Sequence, residues 1–123
     1  MGRHLVLIED EPNIIEAISF ILSRDGWTVK SHSNGADAAQ VVEREKPDVV
    51  ILDLMLPGKS GYDILREIRA REETAGLPVM MLTARGQPKD RELAERAGVS
   101  HFMTKPFSNA EMLEAVRALA PVT

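Results

Sequence analysis

Four consecutive apolar residues, Val49-Val50-Ile51-Leu52, run between Asp48 and Asp53, and Leu54-Met55-Leu56-Pro57-Gly58 follows. A strand with one face in water alternates apolar and polar residues. An unbroken apolar run closed by turn residues reads instead as a strand covered on both faces, which is the condition of a parallel sheet. Asp53 then stands where the strand leaves the core, and Pro57 and Gly58 open a loop beyond it. Open α/β sheets bind their ligands just outside the carboxyl ends of such strands. The place of Asp53 therefore bears on chemistry as well as on fold.

The rest of the chain supplies neighbours for that strand. His4-Leu5-Val6-Leu7-Ile8 predicts a first buried strand, ended by Glu9-Asp10-Glu11. Pro12 suits the first turn of a helix. That helix carries Ile14, Ile15, Ile18, Ile21 and Leu22 at helical spacing and stops at Asp25-Gly26. Trp27 to His32 alternates and predicts an edge strand; Ser33-Asn34-Gly35 turns. A helix is expected from Ala36 to about Glu45, with Ala38, Ala39, Val41 and Val42 inward and Pro47 closing it. After the central run, a helix is expected over 61–72, with Ile64, Leu65 and Ile68 on one face. Leu77 to Leu82 predicts a fourth strand ending at Thr83, and Lys89 to about Ala97 a short charged helix stopped by Gly98. Val99 to Met103 predicts a fifth strand, ending at Thr104-Lys105-Pro106. Ser108 and Glu111 form a capping box for a last helix with Met112, Val116 and Leu119 inward.

Strand and helix alternate five times with no repeat or linker, so the chain predicts one α/β domain over residues 1–123. Its expected architecture is a doubly wound, five-stranded parallel sheet with five helices on its two faces. The chain is long enough to bury a real core, with 44% hydrophobic and 28% charged residues. A net charge of −4 argues against direct nucleic-acid binding, which needs a basic face. The absence of cysteine excludes disulfides, thiol catalysis and cysteine-based metal sites. No apolar run approaches a membrane span, and Met1-Gly2-Arg3-His4 lacks a signal-peptide pattern, so a cytoplasmic protein without membrane contact is expected.

In a parallel sheet the strand ends share one edge. Glu9 and Asp10, Asp53, Thr83 and Lys105 each follow a different apolar strand, and they should converge in one crevice. Crowded carboxylates about 4 Å apart repel by roughly 4 kcal/mol per pair at an effective dielectric near 20. A hard divalent cation removes that cost, and a few oxygen ligands with room for water suit Mg²⁺, with Mn²⁺ as the other candidate. Lys105 adds a charge for an anion and Thr83 a hydroxyl donor. A phosphoryl group fits this set, with Asp53 as the candidate nucleophile.

Together these residues resemble the receiver domain of two-component response regulators. The resemblance is carried by Ile8-Glu9-Asp10-Glu11, Leu52-Asp53-Leu54-Met55-Leu56-Pro57-Gly58, Leu82-Thr83-Ala84-Arg85 and Thr104-Lys105-Pro106-Phe107. It spans about residues 4 to 119. It implies a flavodoxin- or CheY-like strand order, 2-1-3-4-5. Asp53 is then expected to accept phosphate from a sensor histidine kinase or a phosphotransfer protein. Asp10, Asp53 and the backbone carbonyl of Met55 would hold Mg²⁺, helped through water by Glu9. Lys105 would contact the phosphoryl oxygens, and Lys105-Pro106 would be cis. Thr83 would move toward the phosphate while Phe102 turns inward. The fourth helix, fifth strand and fifth helix would form the output surface for an unidentified partner. Such a domain is no conventional enzyme; it promotes its own phosphorylation and dephosphorylation.

Met55 and Thr83-Ala84-Arg85-Gly86 look most like receivers of winged-helix transcription factors, which pair through that output surface. Arg91 and Glu92 match the interlocking charges of such pairs, but Ser100-His101 stands where two acidic residues are usual. No DNA-binding segment follows Thr123 in this sequence, and a stand-alone regulator is expected, as a monomer or a phosphorylation-dependent dimer. A haloacid-dehalogenase-type phosphatase would want an acid two residues after Asp53, where Met55 stands. A nucleotide- or flavin-binding domain would want a glycine-rich loop in place of Glu9-Asp10-Glu11-Pro12. The remaining alternative is a receiver fold that binds partners without being phosphorylated.

Overall fold

The computed structural model describes residues 3–84 and 86–120; Met1, Gly2, Arg85 and residues 121–123 lie outside it. The elements run β1 (Arg3–Ile8), α1 (Pro12–Ser23), β2 (Trp27–His32), α2 (Ala38–Glu45), β3 (Val49–Asp53), α3 (Gly61–Ala70), β4 (Val79–Thr83), α4 (Pro88–Arg96), β5 (His101–Thr104) and α5 (Asn109–Leu119). The five strands form one sheet in the order β2-β1-β3-β4-β5, and all four pairings are parallel.

The central run has the predicted environment: all five residues of β3 are buried. Its side chains alternate between two cores. Val50 and Leu52 pack with Val6, Ile8, Val79 and Met81 under α2, α3 and α4. Val49 and Ile51 pack with Leu5, Leu7, Met80 and Leu82 under α1 and α5. Covering both faces is what makes β3 apolar at every position. The edge strand β2 buries fully only Trp27.

Several boundaries differ from the sequence-based expectation, where local hydrogen bonds or prolines compete with the regular element. α2 begins at Ala38 rather than Ala36, because the Asn34 side chain captures the N–H of Ala36 at 2.7 Å in a turn. It ends on Lys46 in the left-handed region (φ 51°), just before Pro47. α3 ends at Ala70 rather than residue 72, because the Thr74 hydroxyl donates to the Ile68 carbonyl at 2.6 Å and Arg71 is extended. β4 starts at Val79, after Pro78, which has no N–H for a ladder. β5 starts at His101 rather than Val99: the Val99 N–H returns to the Ala94 carbonyl, and Ser100 Oγ accepts from the Val79 N–H. α1 closes at Ser23, two residues before the expected stop, and Gly26 at φ +91° completes the turn. α4 runs one residue earlier than expected, with Pro88 in its first turn. The capping box of α5 is present in both directions, with Met112 and Val116 buried and Leu119 half-buried.

Candidate functional site

The parallel pairing puts the ends of β1, β3, β4 and β5 on one edge of the sheet. There the structure brings Glu9, Asp10 and Asp53 together, with one carboxylate oxygen from each within 4.8 Å of the others. Glu9 and Asp53 are buried and Asp10 is exposed. Glu9 is held by the chain that follows it: its Oε2 accepts the N–H groups of Asp10 and Glu11, each at 3.1 Å. Its Oε1 is buried without a hydrogen bond and lies 3.2 Å from Lys105 Nζ.

Asp53 is fixed from behind. The Gly61 N–H donates to the Leu54 carbonyl at 2.8 Å, and a Cβ on Gly61 would stand 2.6 Å from the Asp53 carbonyl oxygen. Only glycine lets α3 start this close to the end of β3. The Met55 N–H points at Asp53 Oδ1 across 3.4 Å. Burial, reinforced by the negative charge of Glu9, pushes the Asp53 carboxyl up to about 7 against the pull of Lys105. A cleft of about 530 Å³ lies just beyond the end of β3, lined by Asp10 and the residues from Leu54 to Ser60. The side chain of Met55 is largely exposed beside it.

Lys105 comes from the loop after β5. Its N–H donates to the Thr83 carbonyl at 2.7 Å, which ties the loop to the end of β4. The Lys105–Pro106 peptide is cis. The ammonium donates to Glu11 Oε1 at 2.9 Å and stands 3.7 Å from Asp53 Oδ1. Burial works against its charge, but Glu11, Asp53 and Glu9 outweigh that and raise its pKa above the ordinary lysine value. Thr83 is fully buried at the end of β4, opposite Thr104 of β5. Phe102 is already inward, packed in the core under α2, α3 and α4, with the Arg91 guanidinium 5.1 Å above its ring.

Three features escaped the sequence reading. Glu11 pairs with Lys105 across 94 positions of sequence; it was visible only as the third acid of a run. Asp90, on the charged helix α4, is buried, and Tyr62 Oη donates to its carbonyl at 3.2 Å. Arg69 donates to the carbonyls of Gly98, Ala75 and Leu77 and to Ser100 Oγ. A local pattern contains no signal for such long-range contacts.

The donor set is all oxygen, the buried Glu9 Oε1 has no partner beyond its ion pair with Lys105, and a cleft lined by the exposed Asp10 opens at the same edge of the sheet. These features fit a hard divalent cation. The fold and the site thus define a flavodoxin-like α/β protein whose Glu9, Asp10 and Asp53 could hold a metal ion at the carboxyl edge of the sheet. Residues 5–117 match the model of the response regulator receiver domain, and the chain belongs to that family. It is similar to the receiver domain of a sensor histidine kinase from Pseudomonas aeruginosa, whose structure has magnesium coordinated in the active-site cleft. The identity is 33%, covering 97% of this chain and 98% of that one, with a TM-score of 0.89. It is also similar to the BeF3-activated N-terminal receiver domain of RstA from Klebsiella pneumoniae, at 31% identity over 94% of this chain and 97% of that one, with a TM-score of 0.88. A chemotaxis protein from Vibrio cholerae, 21% identical, shares the fold over 97% of this chain and 99% of that one, with a TM-score of 0.90. Among the described residues, no helix is long and apolar enough to cross a membrane.

Proposed function

We propose that this chain is a phosphorylation switch in which Asp53 accepts a phosphoryl group from the phosphohistidine of a sensor kinase or phosphotransfer protein. The observation that carries this reading is the convergence of Glu9, Asp10 and Asp53 beside the Lys105 ammonium at the carboxyl edge of the sheet. An Asp53 oxygen attacks phosphorus; the P–N bond to the donor imidazole breaks as the acyl phosphate P–O bond forms, and the imidazole takes up a proton. Asp10, Asp53 and the Met55 carbonyl would hold Mg²⁺, with Glu9 acting through water. The ion would neutralise the carboxylates and the incoming phosphoryl oxygens. Lys105 balances the remaining charge, and Thr83 supplies a hydroxyl to the phosphorylated state. The same residues allow water to remove the phosphate later.

The output surface on this reading is α4, β5 and α5. Phe102 belongs to it and is seated inward under Arg91. Glu92 pairs with Arg96 on its own helix at 2.7 Å. Arg91 and Glu92 are thus engaged within the chain, and Ser100-His101 stands where winged-helix receivers carry two acidic residues; both weigh against the interlocked pairs of that subfamily, although Met55 and the Thr83–Gly86 stretch look most like it.

Intact-mass measurement with Mg²⁺ and acetyl phosphate tests the chemistry. The wild type is expected to gain one phosphate, and Asp53→Asn none with its fold unchanged. Equal labelling of the two would remove Asp53 from the role, and no labelling of the wild type, even by a cognate kinase, would favour a pure binding module.

A further inference from the structure

Three carboxylates share the Lys105 ammonium. Its contact with Glu11 Oε1, 2.9 Å, is shorter than those with Glu9 (3.2 Å) and Asp53 (3.7 Å), and it has hydrogen-bond geometry. Glu9 is fully buried and pinned by two backbone N–H groups, so its place is set by the fold. Glu11 is different. Its side chain is 59% exposed, and it occupies the N-cap of α1 without capping it. The helix dipole favours a negative charge at that end. The Glu11 carboxylate instead turns to Lys105. Among the described residues, the carboxylates that converge as a candidate cation site are Glu9, Asp10 and Asp53, and Glu11 is outside that group.

We propose that Glu11 is a positioning residue, a latch that holds the Lys105 ammonium off Asp53 until a phosphoryl group on Asp53 offers a stronger partner. The proposal rests on Asp53 being the phosphoacceptor. With the latch closed, Lys105 stands 3.7 Å from Asp53 Oδ1, an ion pair beyond hydrogen-bond reach. A phosphoryl group brings about −1.5 to −2 charges and three strong acceptor oxygens. It outcompetes a single, half-solvated carboxylate, and Lys105 transfers to it. Breaking the Glu11 contact is a cost of reaching the phosphorylated state, so Glu11 sets how readily that state forms. A half-exposed ion pair is worth little, about a two- to fivefold factor in an equilibrium constant.

The test compares wild type, Glu11→Gln and Asp53→Asn as full chains. Three quantities are read: Mg²⁺ affinity, affinity for beryllofluoride in saturating Mg²⁺, and the side-chain ¹⁵N resonance of Lys105 at fixed pH without either ligand. In Glu11→Gln the Lys105 resonance is expected to move, beryllofluoride to bind about two- to fivefold more tightly, and Mg²⁺ affinity to stay unchanged. An unmoved resonance, or unchanged beryllofluoride affinity, overturns the latch while the phosphoacceptor reading stands. Weakened Mg²⁺ binding makes Glu11 part of the cation site and also overturns it. A wild type that binds no beryllofluoride, like Asp53→Asn, overturns the phosphoacceptor reading and the latch with it.

Discussion

Asp53 is held where a carboxylate is uncomfortable without a cation. Burial and the Glu9 charge raise its pKa from 3.8 to about 7. The sign of the consequence follows from linkage: an acid whose pKa is higher in the folded state binds its proton more tightly there, so folding loses stability as pH rises from 3.8 towards about 7. Asp53→Asn is therefore expected to stabilise the metal-free protein at about pH 8 by about 1–2 kcal/mol and to be near neutral at about pH 4. Chemical denaturation in the presence of a chelator checks this; a variant no more stable than wild type at the higher pH would show that Lys105 already compensates Asp53. Adding Mg²⁺ should reverse the order, since a ligand that binds only the folded wild type raises its stability and leaves the variant unmoved. Gly61 belongs to the same site although it carries no chemistry. A methyl group there meets the Asp53 backbone at 2.6 Å, so Gly61→Ala is expected to cost about 1–3 kcal/mol and to lower Mg²⁺ affinity together with stability.

Among the elements, the junction of α3, β4 and the loop before β5 depends on one side chain. Arg69 gathers the carbonyls of Gly98, Ala75 and Leu77 and the Ser100 hydroxyl, and Ser100 in turn accepts from the first N–H of β4. Its guanidinium is half-buried, and that burial lowers its pKa. Arg69→Ala would strip several partly buried carbonyls of their donor and is expected to cost about 2–3 kcal/mol. Urea midpoints measure the loss, and an unchanged Mg²⁺ affinity would separate this junction from the site at the opposite end of the strands. The same contacts explain why β5 is shorter than expected. Val99 and Ser100 look like strand residues in sequence, but their polar groups are committed to the end of α4 and the start of β4.

In the whole molecule, a parallel sheet converts five separate strand ends into one edge, and on the proposed reading a local charge change there would reach α4, β5 and α5 through Thr83, Lys105 and Phe102. With Mg²⁺ and beryllofluoride, amide exchange is expected to slow in the β4–α4 and β5–α5 segments and to stay unchanged in β2 and α2, measured by hydrogen exchange; uniform slowing would instead indicate global stabilisation alone.

The architecture was legible in the sequence because burial on both faces writes itself as continuous apolar runs, and helices write themselves as spaced ones. Val49 to Leu52, Leu5 to Ile8 and Val79 to Leu82 needed no tertiary information to be read as buried strands. The identities at their ends were legible too: Glu9, Asp10, Asp53, Thr83 and Lys105 each follow an apolar run. What only the tertiary structure decided was how those ends share charge. Glu11 reaches Lys105 instead of capping its own helix, Asp90 is buried on a charged helix, Arg91 covers an already inward Phe102, and Asn34, Thr74 and Ser100 move element boundaries by their side chains. Burial patterns are periodic along the chain and can be read from it. Hydrogen bonds and ion pairs depend on which groups the fold brings within about 3 Å, and that is set by the packing of distant segments.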